Sequence, residues 1–183
     1  MEQRIIATNS NYEELLCYKK AKVIYDLTYH FCSRFIDKRD RTYDQMVQAA
    51  RSGKQNIVEG HIDSSSSMEM AIKMLNIARG SFKELLEDYK DYLRVHGAQQ
   101  WERDSKEVEA MRRIGAEHND TEYYAQLAKT RAGDTIANIA IVLLHQEETL
   151  LLGYIRYVEQ RFMREGGIKE KMYNMRKKIL NRD

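Results

Sequence analysis

The sequence predicts an all-α fold, an up-down-up-down four-helix bundle with a helical insertion and a short C-terminal helix. Three observations carry that expectation. The 183 residues contain no proline, whereas an ordinary soluble chain carries about 5%. Proline breaks helix interiors and punctuates loops, so its absence beside only nine glycines points to long helices with few connections. Apolar residues recur at three-four spacing over several long stretches rich in Leu, Met, Ala, Glu, Lys, Arg and Gln, the good helix formers. A chain of this length buries a core without disulfides or metals and reads as one domain, 1–183. Its first three helices fall within 12–97, an insertion within 98–132, the fourth helix within 133–165 and a basic C-terminal helix within 166–183.

The first helix is expected from about Tyr12 to Ile36. Ile24, Leu27, Phe31 and Phe35 share one face. Tyr18, Tyr25, Tyr29 and Cys32 form a second face, which meets more core, another subunit or a ligand. Asp37 to Asp44 is dense in charge and reads as a turn. A second helix, Tyr43 to Val58, presents Met46, Ala50, Gly53 and Ile57, small residues that allow close approach. Gly60 is expected to end it. In the serine run Ser64 to Ser67, Ser66 followed by Glu69 fits a capping box that starts a third helix, Met68 to about His96. That helix places Ile72, Leu75, Ala78, Phe82, Leu85, Leu86, Tyr89 and Leu93 on one face. Gly80 in its middle costs about 1 kcal/mol against alanine, so a close crossing is expected there. Gly97 stops it.

The polar stretch Gln99 to Thr130 holds the only tryptophan, Trp101, and one short helix, Asp104 to Ile114, is expected in it. The fourth long helix runs from about Asp134 to Arg164 and is broken by Gly166 and Gly167. Short loops between four such helices favour up-down-up-down order. The last helix, Ile168 to Leu180, puts Ile168, Met172, Met175 and Ile179 on one side, with Lys169, Lys171, Arg176, Lys177 and Lys178 around it.

Composition narrows function. With 30 basic and 28 acidic residues the net charge is +2, so no global field argues for nucleic acid and any such argument rests on local clusters. Met1 to Asn11 lacks the apolar core of a signal peptide, and the longest apolar run, Ile139 to Leu144, is much shorter than a membrane span. A cytoplasmic protein with no membrane partner is expected. Cys17 and Cys32 lie about four turns apart on one helix, too far to pair, and read as buried free thiols.

Several segments together resemble a known family. They are Gln48-Ala49-Ala50-Arg51-Ser52-Gly53-Lys54-Gln55-Asn56-Ile57-Val58-Glu59-Gly60, then Ser66-Ser67-Met68-Glu69, then Ile77-Ala78-Arg79-Gly80-Ser81-Phe82-Lys83-Glu84-Leu85. This pattern resembles the bacterial four-helix bundle proteins described from intervening sequences in large-subunit ribosomal RNA genes. It departs from the family at Gly53-Lys54, where Ile-Pro is usual. The second half, through Gln99-Gln100-Trp101, Ala137-Asn138, Leu144-His145-Gln146 and Phe162 with Gly166 to Met172, resembles the suffix extension of one branch. The resemblance implies a homo-oligomer, pentamers being among the family's forms. It also implies kinship with retroelement accessory proteins, basic barrels that bind nucleic acid and a reverse transcriptase. It carries no catalytic residues.

Candidate sites follow from the residues. A di-iron site in a bundle needs Glu-x-x-His on two helices plus two more glutamates. Only His145-Gln146-Glu147-Glu148, in reversed order, and Glu59 with His61 come near it, so no metal and no cofactor are expected. His145 reads as a satisfied polar residue inside the bundle. Neither cysteine has a histidine at a useful helical spacing, and Gly166-Gly167 lacks a phosphate-loop context, so no catalytic residue is assigned and no enzyme is expected. Asn56 and Glu59 form either a site or a buried polar network fixing helix two on its neighbours. Lys38, Arg39, Arg41, Arg51 and Lys54, with Arg176, Lys177 and Lys178 in the tail, are the candidate contacts to RNA or DNA. The competing reading of the first cluster, interleaved with Asp37, Asp40 and Asp44, is a solvated face. The expected function is therefore a non-enzymatic RNA-binding accessory subunit; the alternative is a protein-interaction scaffold without nucleic-acid affinity.

Overall fold

The computed structural model describes residues 11–180, apart from the side chains of 168, 171 and 178–180, and every regular element in it is helical. A 3-10 turn, Tyr12–Glu14, precedes α1 (Leu16–Phe35), α2 (Arg41–Asp63), α3 (Met68–Val95), α4 (Lys106–Glu117), α5 (Thr121–Thr130), α6 (Gly133–Glu165) and α7 (Ile168–Leu180). The expected single helix from Tyr12 is split because Leu15 is extended (φ −64°, ψ 127°). Asn11 caps the turn by accepting the Glu13 N–H at 3.1 Å.

α1 packs on α2 and α6, α2 on α3, and α3 on α6, closing a cycle of the four longest helices. Ile24, Leu27 and Phe31 are buried as expected, whereas the aromatic face of α1 divides. Cys32 is buried, Tyr18 and Tyr25 are half-buried, and Tyr29 is 48% exposed. Phe31 sits at the centre of an aromatic group, 5.0 Å from Tyr89, 4.8 Å from Tyr92 and 5.4 Å from Phe35 between ring centroids. Tyr89, fully buried, donates its hydroxyl to Thr28 at 3.0 Å, so its polar end is satisfied inside the core.

Asp40 starts α2 by accepting the Thr42 N–H at 2.9 Å. The helix does not end at Gly60 but continues to Asp63. A Cβ on Gly60 would lie 2.9 Å from Leu75 of α3, so this glycine serves close packing and not chain reversal. Gly53 has the same use, since a Cβ there would fall 2.5 Å from the Phe82 ring. The expected crossing at Gly80 is absent: that glycine is exposed, with nothing within 4 Å of a Cβ position.

The cap of α3 is Ser67, one residue later than expected. Its side chain accepts the Met70 N–H at 3.3 Å. Ser66 instead donates to the Asp63 carbonyl at 3.3 Å, as Ser64 does to His61 (2.8 Å) and Ser65 to Ile62 (2.7 Å). Three serines thus satisfy the last carbonyls of α2, and Ser67 (φ −144°, ψ 100°) has the extended backbone an N-cap requires, whereas Ser64 (φ −60°, ψ −15°) is still helical. Glu69 is exposed and takes no part. Gly97 (φ 65°) ends α3 as expected, with Ala98 N–H on Leu93 O at 2.9 Å and Gly97 N–H on Arg94 O at 3.2 Å, the Schellman pattern.

The polar stretch folds into two helices where one was expected. Ser105 caps α4 and Asp120 caps α5. α4 rests on α6, and α5 rests on α1 through Tyr124 and Ala128, both buried. Buried Asn138 of α6 ties down the segment before α4, accepting the Trp101 N–H at 2.8 Å and donating to Gln99 O at 3.1 Å. Residues 136–144 of α6 are all buried, because neighbours cover every side of it. Among the described residues α6 alone is long and apolar enough to cross a membrane, and most of its apolar stretch is buried inside the molecule.

Candidate functional site

The basic residues predicted around the start of α2 are at the surface, but acids accompany them. Arg39 pairs with Asp37 at 2.9 Å, and that guanidinium holds the Asp37 carboxyl below its usual range. Asp40 is lowered by the Thr42 N–H it caps. Arg41 lines a shallow groove between α2 and α3 beside Asp44, Glu84 and Asp88, so the groove carries more acid than base. Burial first, then Asp91 and Glu84, raise the Asp88 carboxyl. Lys54 does not reach into solvent alone: its ammonium lies 4.6 Å over the Tyr25 ring. Lys38 and Arg51 are exposed.

Asn56 and Glu59, expected to act together, are separated. Asn56 donates to the Ser52 carbonyl (2.8 Å) and hydroxyl (3.1 Å), and Ser81 of α3 donates to the same hydroxyl at 3.0 Å. This chain of hydrogen bonds fixes α2 on α3. Glu59 is exposed and stands outside it.

α7 follows Gly166, whose φ of 69° only glycine adopts readily. Glu170 accepts the Gly167 N–H at 2.9 Å and anchors the helix start. Lys169, Arg176 and Lys177 are exposed, together with Tyr173 at 65% and Met172 at 51%. None of these three cations pairs with a carboxylate among the described residues. Lys178 lies outside the described side chains.

One concavity lies apart from every predicted nucleic-acid contact. It is a half-open cleft of about 900 Å³ between α4 and α6, floored by Leu16 and Lys20 of α1 and flanked by Gln100, Trp101 and Arg103. Val108, Ile141, Val142 and Leu150 make its apolar wall, and Arg112, His145 and Gln146 part of its polar one. Sequence reasoning missed it because its linings come from four separate segments. Two signals were available: Lys20, a charged residue on the buried side of α1 between Cys17 and Ile24, and the suffix-like segments themselves, whose Gln100, Trp101, Asn138, His145 and Gln146 line the cleft.

Lys20 is 2% exposed, and its ammonium donates to the Gly115 carbonyl of α4. Behind it lies Glu147, fully buried, with neither carboxylate oxygen hydrogen-bonded among the described residues. Burial pushes the Glu147 carboxyl well above the usual carboxylate range, against the pull of Lys20. The same burial pushes Lys20 down to about 8, against the pull of Glu147. His145, expected inside the bundle, is exposed on the cleft wall. It is lowered by partial burial and then by Lys90, Lys83 and Arg112, with Glu148 opposing. Glu148 is itself held by Arg79 at 2.9 Å and Lys83 at 3.6 Å.

Among the described residues, no three or more His, Cys, Asp or Glu side chains are grouped to hold a metal ion. No family model, curated protein or solved structure matches this chain.

Proposed function

We propose that the chain is a non-enzymatic RNA-binding accessory subunit, a homo-oligomer of up-down-up-down four-helix bundles acting in the cytoplasm. The observation that carries the reading is α7, which presents Lys169, Arg176 and Lys177 to solvent without partner carboxylates among the described residues, next to an exposed Tyr173 able to stack on a base. The cycle of α1, α2, α3 and α6 supports the bundle topology. So do two of its registers: Cys32 meets Met46 and Tyr25 meets Lys54, so α1 and α2 run antiparallel, and Gly53 meets Phe82 and Gly60 meets Leu75, so α2 and α3 do. The resemblance to bacterial bundle proteins described from intervening sequences in ribosomal RNA genes supports oligomerisation, and a symmetric assembly multiplies a modest basic helix into an avid surface.

A labelled structured RNA titrated at low and moderate salt, with light scattering on the same sample, tests this. Binding from a defined oligomer that collapses as salt rises, and that is lost on reversing Arg176 and Lys177 to glutamate, is the expected result. Binding that is absent at low salt overturns the RNA reading. A scaffold reading then takes its place, favoured by the exposed Ile62, Met70 and Ile77 at the α2–α3 end.

A further inference from the structure

The cleft between α4 and α6 combines three features. It is about 900 Å³, within the range of sites that enclose a small ligand. One side is apolar and includes the indole of Trp101; the other carries Arg103 and Arg112, both exposed and neither paired with a carboxylate among the described residues. The only carboxylate lining it, Glu148, is already occupied by Arg79 and Lys83, and Lys20 adds positive charge at the floor. Apolar occupants alone do not account for two free guanidiniums, and a simple anion does not account for the indole and the apolar wall. A flat aromatic group bearing a strong anion matches both, because arginine binds phosphate through charge-assisted hydrogen bonds and every nucleobase offers a face for stacking.

We propose that this cleft is a nucleotide-binding site, with the base against Trp101 and the apolar wall and the phosphate on Arg103 and Arg112. Gln100, exposed at the mouth, supplies an amide for the base edge. The nucleotide is free in solution or one unit of a strand. In the second case the site deepens the RNA reading and rests on it; in the first it stands apart from α7.

Trp101 is the only tryptophan, so its fluorescence reports on the cleft directly. The full chain is titrated with adenosine monophosphate, adenosine, inorganic phosphate and a short oligoadenylate. Saturable quenching by the monophosphate is expected, with adenosine weaker by about tenfold, phosphate not quenching, and R112E weakening the monophosphate by about tenfold or more. R176E, on α7, leaves mononucleotide binding unchanged. An oligoadenylate bound about tenfold more tightly than the monophosphate identifies the strand as the source; equal affinities identify the free nucleotide. No saturable quenching by either, or quenching that R112E and R103E both leave intact in variants of unchanged helicity, overturns the site. RNA binding lost in the α7 variant without any response of Trp101 sinks the cleft and keeps the RNA reading. Mononucleotide quenching without RNA binding does the reverse.

Discussion

The α2–α3 side of the molecule and the α4–α6 side are both pairs of amphipathic helices in contact, but they meet in opposite ways. Between α2 and α3, Gly53 receives Phe82 and Gly60 receives Leu75, with buried Ala49, Ala50, Ala71 and Ala78 around them. The surfaces interlock, and what groove remains is shallow. Between α4 and α6 the close approach is made where Gln146 lies against Gly115 and donates to Arg112 O at 2.8 Å while Lys20 reaches the Gly115 carbonyl, and Val108 and Met111 of α4 are buried as well. Beside that contact the cleft opens. Small residues at regular spacing make a closed contact; a glycine met by one long polar side chain holds α4 on α6 and leaves a cavity beside it.

The sharpest way to break the comparison is at the interlocked side. Gly53→Val drives a side chain into the Phe82 ring and is expected to cost about 3 kcal/mol in urea unfolding. Gly80→Ala, on the open face of the same helix pair, is expected to stabilise by up to about 1 kcal/mol. Equal effects at the two glycines would show that α2 and α3 are not interlocked at Gly53.

The cleft side answers to pH. Glu147 binds its proton more tightly in the folded chain than in the unfolded one, so its contribution to stability falls as pH rises above the ordinary 4.5. Lys20 acts only above about 8, where the folded chain loses a proton first and stability rises toward the ordinary 10.5. Between about pH 5 and about pH 7.5, Glu147→Gln should therefore gain on the parent with rising pH, by at most about 1.4 kcal/mol per pH unit. Parallel unfolding curves across that window would remove the buried carboxyl from the account.

The smallest effect concerns the serine run at the α2–α3 turn. Ser67→Ala should lose about 1 kcal/mol as the cap of α3, and Ser66→Ala, whose hydroxyl has only a carbonyl of α2 as partner, less than half of that. The reverse order would restore the capping box first expected at Ser66.

The helical class, the face of α3 from Leu75 to Leu93, the close approach at Gly53 and the stop at Gly97 were all legible in the residues. Each is written in local spacing, which a single strip of sequence preserves. Gly60 and Gly80 were misread in complementary directions, because a glycine's use depends on what faces it: Leu75 faces the first, and solvent the second. α5 went unseen because it has only two buried residues, Tyr124 and Ala128. The cleft was illegible for a further reason: Leu16 and Leu150 share it although 134 positions separate them, and no periodicity links α1 to α6. His145 was read as a satisfied polar residue inside the bundle, whereas the buried acid is Glu147, two residues along and so on another side of the helix.

The two cysteines give the molecule a chemical silence that is useful in itself. Cys17 is 3% and Cys32 0% exposed, and burial pushes both thiols up to about 12, so neither presents a thiolate at neutral pH. Electrophilic dyes that ignore the native chain react once it opens, making the unmodified protein its own clock for unfolding. A single cysteine introduced on α7 or at the cleft mouth is then the sole handle for a spin label or fluorophore, with no need to strip the core of its natural thiols.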